Sequence, residues 1–94
     1  MHVKFIYRVH AIERMFQRDI GEVDTENVVN NGEIIERYID DKPYPSYLSL
    51  GYIDGVPLHV VYAEDDEDNY IIITVYRPSL EKWEDDFKTR RSEK

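Results

Sequence analysis

Three basic residues stand four apart in the run HAIERMFQR: His10, Arg14 and Arg18. On a helix, neighbours at that spacing lie one turn apart on the same side. An imidazole can carry a proton and an arginine presents a planar fork of donors, so such a stripe suits a phosphodiester. The charge around it is segregated. Up to Arg18 there are four Lys or Arg (Lys4, Arg8, Arg14, Arg18) and one acid (Glu13), a balance of +3; the whole chain carries −8, which leaves −11 for residues 19–94.

Further along are the other groups that metal-independent RNA cleavage needs. A base takes the 2′-hydroxyl proton, an acid protonates the leaving 5′-oxygen, and cations stabilise the phosphorane. His10 and His59 qualify as acid or base, with ordinary pKa values near 6.5. Arg14, Arg18 and Arg77 qualify as phosphate ligands. Thr74 and Tyr76 share one face of a strand by two-residue alternation, and either can donate a hydrogen bond. Each also has a plainer reading. His59 lies in an apolar strand, where a satisfied core histidine is common. Arg14 and Arg77 could pair with carboxylates, Arg18 could be a surface residue, and Thr74 and Tyr76 are good strand formers. No metal or other cofactor is expected. The acidic run at 64–68 lacks the ligand spacing and central glycine of an EF-hand loop, and the histidines lack zinc spacing. There is no glycine-rich phosphate loop.

The 94 residues suffice for a single domain, expected over 1–88 with a polar tail at 89–94. Cysteine is absent, which excludes disulfides and thiolate metal sites and fits a reducing cytoplasm. No apolar run approaches the roughly 18 residues of a membrane span, so no membrane partner is expected. The net charge of −8 argues against broad, non-specific nucleic-acid binding but leaves room for a local basic site.

These residues need elements to position them. Residues 10–18 read as a helix with Ile12, Met15 and Phe16 turned to a core. A second helix is expected from about 24 to 30, stopped by Asn31-Gly32 in a left-handed turn. Four strands follow at 33–39, 47–53, 56–63 and 70–76, and Asp54-Gly55 is the strongest hairpin signal. In the first of these, Ile34, Glu36 and Tyr38 should share a face. Residues 3–7 are β-prone but short, and 80–87 could form a short helix. The expectation is an α+β fold: two N-terminal helices packed on a four-stranded antiparallel sheet.

The segments HAIERM, QRDI, NNGEII, PYPSYLSLGYIDGVPLHVV and IIITVYRPSLEKW, in that order, resemble the family known as domain of unknown function 4258. The resemblance runs from about residue 10 to 83. That family is similar to small toxins with the fold of RelE-like and barnase-like ribonucleases. The resemblance therefore implies a ribonuclease toxin of a bacterial toxin–antitoxin pair, a hydrolase acting on RNA. It implies a cognate antitoxin as partner, of zinc-finger or helix-turn-helix type. By the family pattern, His10, Arg14, His59, Thr74, Tyr76 and Arg77 would line the site. The alternative is an inactive relative whose tyrosine-rich sheet and acidic face dock a protein.

Overall fold

The computed structural model describes residues 4–92. The elements are β1 (Phe5–Tyr7), α1 (Val9–Arg18), α2 (Glu22–Asn31), β2 (Glu33–Tyr38), β3 (Ser46–Ile53), β4 (Val56–Glu64) and β5 (Tyr70–Tyr76). The strands form one five-stranded sheet in the order β1-β5-β4-β3-β2. β2 to β5 make an antiparallel meander, and β1 runs parallel to β5. The expected four-stranded antiparallel sheet is thus corrected to a five-stranded mixed one. The reason lies at the edge of β5. Its free backbone groups take up β1 through Tyr70 N–H to Lys4 C=O (2.9 Å) and Arg8 N–H to Ile72 C=O (3.2 Å). A three-residue strand carries too little periodicity to announce such a pairing.

Both helices lie on one face of the sheet. Ala11 and Met15 of α1, and Val28 and Val29 of α2, pack with Leu58, Val60, Tyr62, Ile72 and Val75. Of the three residues expected to turn α1 inward, only Met15 does so; Ile12 is 52% and Phe16 88% exposed. The small Ala11, one turn before Met15, lets the helix settle closely on β5. That rotation puts Ile12 and Phe16 on its outer shoulder. α2 also approaches closely. A Cβ on Gly32 would lie 2.6 Å from the Leu50 carbonyl oxygen, so glycine is needed there for space. Gly32 is extended (φ −77°), which corrects the expected left-handed stop. The Asp54-Gly55 turn does have both residues left-handed, at φ 52° and 81°, as a tight hairpin requires.

Two bulges set which residues face which way. Between Ile34 and Glu36 the register slips, so Ile34 pairs with Ser49 while Glu36 pairs with Leu48. Ile34 therefore does not share a face with Glu36 and Tyr38, as simple alternation predicts. A second slip between Val61 and Tyr62 leaves Thr74 opposite Val61 and Ile72 opposite Tyr62.

The other face of the sheet is covered by a strap, residues 77–92. It contains turns and a single bridge between Trp83 and Arg90, and the short helix anticipated at 80–87 does not form. The Asp86 carboxylate accepts from the backbone N–H groups of Lys88 (2.9 Å) and Thr89 (3.0 Å), which favours a turn over a helix. Trp83 is buried by the strap. No helix among the described residues is long and apolar enough to cross a membrane.

Candidate functional site

Residues paired across adjacent strands point to the same side of a sheet. His59 pairs with Leu50 on β3 and Tyr76 on β5, while its neighbours Leu58 and Val60 join the core under the helices. His59 therefore faces the strap, where it is fully buried (0% exposed). Its ring meets Trp83 edge-on at 4.6 Å between centroids and Tyr76 at 5.2 Å. Nε2 lies 2.8 Å from the Phe87 carbonyl oxygen, and Nδ1 lies 3.2 Å from the Tyr76 hydroxyl. A carbonyl only accepts, so Nε2 carries the proton. In the neutral ring Nδ1 must then accept from Tyr76. Burial pushes the His59 pKa below 6.5, with the Phe87 carbonyl partly opposing it. Burial also raises the Tyr76 phenol.

Beside this pair, at the C-terminal end of β5, a cleft of about 360 Å³ opens to solvent. Its charged lining is entirely cationic: Arg18 from α1, Arg77 after β5, and Lys82 and Arg90 from the strap, with Tyr76 and Ser79 between them. Three of the four are fixed by the protein. Arg18 donates to the Val75 carbonyl (2.7 Å), and Arg77 donates to the carbonyls of Arg18 (2.6 Å) and Asp19 (3.2 Å). The second contact satisfies orphan carbonyls at the end of α1 and sets a cation against its negative pole. Arg90 forms two bonds to the Glu36 carboxylate (2.9 and 3.0 Å) and lies 4.6 Å over the Trp83 ring. Arg90 holds the Glu36 carboxyl below its usual range. An arginine has five N–H donors, so each guanidinium keeps some for a ligand. Lys82 has no carboxylate partner among the described residues. An adjoining recess of about 550 Å³ shares Lys82 and Arg90 with the cleft and adds Arg91 and the acidic Glu81. Another recess of about 250 Å³ also reaches Arg77, but Asp24 and Asp54 line it, which is unfavourable for an anion.

The structure thus gathers His59, Tyr76, Arg77 and Arg18 into one neighbourhood and leaves the rest of the expected set outside it. The His10 side chain is 89% exposed and sits 3.7 Å from Glu13, on the helix side of the sheet. His10 and His59 share no pocket, so a paired-imidazole mechanism has no basis in this geometry. Arg14 is exposed on α1 and, like His10, lines none of these recesses; only Arg18 of the helical stripe reaches the cleft. Thr74 is half-buried on the strap face, next to Tyr76 along the strand, but does not line the cleft. Lys82 and Arg90 were not anticipated. They lie in a segment without periodicity, and the sole hint is the basic cluster Lys88, Arg90 and Arg91 in an otherwise acidic chain. Among the described residues, no three or more His, Asp or Glu side chains come together in a way that could hold a metal ion.

Comparison with curated proteins and with solved structures finds no match. The chain belongs to the DUF4258 family, a domain of unknown function, whose model matches residues 7–77, from the end of β1 to the Arg77 that borders the cleft.

Proposed function

We propose that this chain is a metal-independent endoribonuclease, acting as a toxin on RNA held in the cationic cleft. The observation that supports this reading is the convergence of Arg18, Arg77, Lys82 and Arg90 on one 360 Å³ cleft in a chain of net charge −8. Three of these cations are already immobilised, so little ordering entropy is lost when a phosphodiester arrives. Arg forks suit the developing charge of a phosphorane. The Lys82 ammonium, without a carboxylate partner among the described residues, would protonate the leaving 5′-oxygen. The same reading makes the domain a relative of RelE-like and barnase-like ribonucleases, cytoplasmic and neutralised by an antitoxin. The acidic remainder of the surface would attract a basic segment of that partner.

The rival reading is a module that binds protein and cuts nothing. The exposed apolar side chains Val9, Ile12 and Phe16 on α1 favour it. A direct assay separates the two: incubate the purified chain with single-stranded RNA in a chelator, beside Lys82→Ala. The Lys82 side chain forms no ion pair among the described residues. Its loss should slow cleavage by about 10² to 10³, the usual effect of removing one transition-state donor, with an unchanged melting temperature. RNA left intact by the wild type would favour the binding module.

A further inference from the structure

The proposed ribonuclease has a proton donor in Lys82 and anion ligands in its arginines, but neither His10 nor His59 lines the cleft to take the 2′-hydroxyl proton. We infer that Tyr76 takes it, as the outer member of a relay whose inner member is the buried His59. This inference rests on the ribonuclease reading and supplies its missing base.

The direction of the hydrogen bonds carries the inference. Tyr76 has one hydroxyl proton, and the Phe87 carbonyl 2.8 Å from Nε2 fixes the tautomer that draws this proton inward to Nδ1, at 3.2 Å. The phenolic oxygen then has no proton left to donate, and since Tyr76 lines the cleft it serves a ligand there as an acceptor. A ligand hydroxyl arriving there meets an acceptor. As the 2′-O–H proton passes to Tyr76 Oη, the phenol's own proton passes to His59 Nδ1. The freed electron pair of the 2′-oxygen forms the bond to phosphorus. The P–O5′ bond breaks, and the 5′-oxygen takes a proton from the Lys82 ammonium. The products are a 2′,3′-cyclic phosphate and a 5′-hydroxyl, and water returns both groups to their starting protonation. No oxidant or metal enters.

Burial works against a charge on His59, so the imidazolium is transient, and its neighbours offset that cost only in part. Phe87 from the strap accepts from Nε2 throughout. Glu36 from β2, itself bonded to Tyr38, favours the positive ring, while Arg90 from the strap opposes it. Tyr76 from β5 is the titratable group bonded to Nδ1, and the Trp83 ring packs edge-on against the imidazole without charge. His59 touches no substrate in this scheme. It is a positioning residue and proton store that acts through Tyr76.

Two measurements test the relay. The first is the ¹⁵N spectrum of the imidazole in the intact chain, which needs no activity. The relay requires the Nε2–H tautomer with an accepting Nδ1 whose signal shifts in Tyr76→Phe; the Nδ1–H tautomer would overturn the relay and leave the ribonuclease reading standing. The second is cleavage of single-stranded RNA by His59→Asn. An Asn amide oxygen can accept from Tyr76 and hold it in place but cannot store a proton. His59→Asn and Tyr76→Phe should each lose about 100-fold or more in rate, and the double variant no more than either. Both should bind RNA within about threefold of the wild type, since the cations that provide the phosphate affinity are untouched. The wild-type rate should rise with pH through a pKa below 6.5, and that limb should vanish in His59→Asn. Near-normal cleavage by His59→Asn would show that His59 only props up Tyr76, and the relay would fall. A wild type that binds RNA without cutting it, in the expected tautomer, would remove the ribonuclease reading and the relay's role with it.

Discussion

The two faces of the sheet are covered in different ways. Under α1 and α2 the contacts are almost wholly apolar: Ala11, Met15, Val28 and Val29 against Val60, Ile72 and Val75. Under the strap they are mixed. His59, Tyr76 and Trp83 meet edge-on there, Glu36 grips Arg90, and a hydrogen bond runs from His59 to the Phe87 carbonyl of the strap. Apolar burial is non-directional and supplies most of the cohesion. Polar contacts add less net energy but fix geometry and are costly to leave half-made. The helix face therefore holds the fold, and the strap face holds an arrangement beside the cleft.

Truncation on the helix side should have the largest effect. Ile72 is fully buried there, and Ile72→Ala should cost about 2–5 kcal/mol in urea denaturation by lost transfer energy and a cavity. His59→Ala, equally buried but on the strap side, should cost less, about 1–3 kcal/mol, chiefly because the Phe87 carbonyl loses its donor and the Tyr76 hydroxyl its acceptor. Should the second loss exceed the first, the strap face would be the true core and the contrast would be reversed.

Acid sharpens the same contrast. The folded-state pKa of His59 lies below the ordinary 6.5, and that of Glu36 below 4.5. A depressed pKa contributes stability that is present above the unfolded value and lost as pH falls through the folded one. The His59 contribution should fade on acidification below about 6.5 and the Glu36 contribution below about 4.5, both on the strap side. Trp83 is the only tryptophan, so its emission reports on the strap alone. We expect that emission to change at a higher pH than the far-ultraviolet dichroism of the sheet. Coincident transitions would mean that strap and sheet unfold as one unit. The smallest effect belongs outside both faces. Phe16→Ser on the outer shoulder of α1 should alter stability by no more than about 0.5 kcal/mol, and a larger loss would show that Phe16 packs in solution.

Periodicity alone makes much of the fold legible. The four meander strands, both helices and the Asp54-Gly55 turn follow from alternation, helical spacing and turn chemistry, because each is encoded by neighbours in sequence. The candidate site was legible only in part. Tyr76, Arg77, His59 and Arg18 stood out as polar or basic groups in apolar or acidic surroundings, whereas His10 and Arg14 share the same helical stripe yet stay outside the cleft. Helical spacing defines a stripe but not where it points; the packing of α1 on β5 through Ala11 brings only Arg18 to the C-terminal end of β5.

Composition and local pattern by themselves determined a small, acidic, cysteine-free α+β domain with a basic N-terminal segment. Tertiary structure alone decided three further things. β1 joins β5 in parallel because an open strand edge has unpaired backbone groups to offer, a demand invisible across some 65 residues of chain. The bulges at Ile34/Glu36 and Val61/Tyr62 put Ile34 and Ile72 on the helix side and leave Glu36 and Thr74 on the strap side, and a one-residue slip leaves no mark in composition. The strap, with no period of its own, lies where it does because Trp83 must leave water, and that burial brings Lys82 and Arg90 to the cleft and the Phe87 carbonyl to His59. Local sequence encodes φ and ψ preferences and amphipathic faces. Which distant groups finally meet depends on the burial and hydrogen-bond satisfaction of the whole chain, which no local window contains.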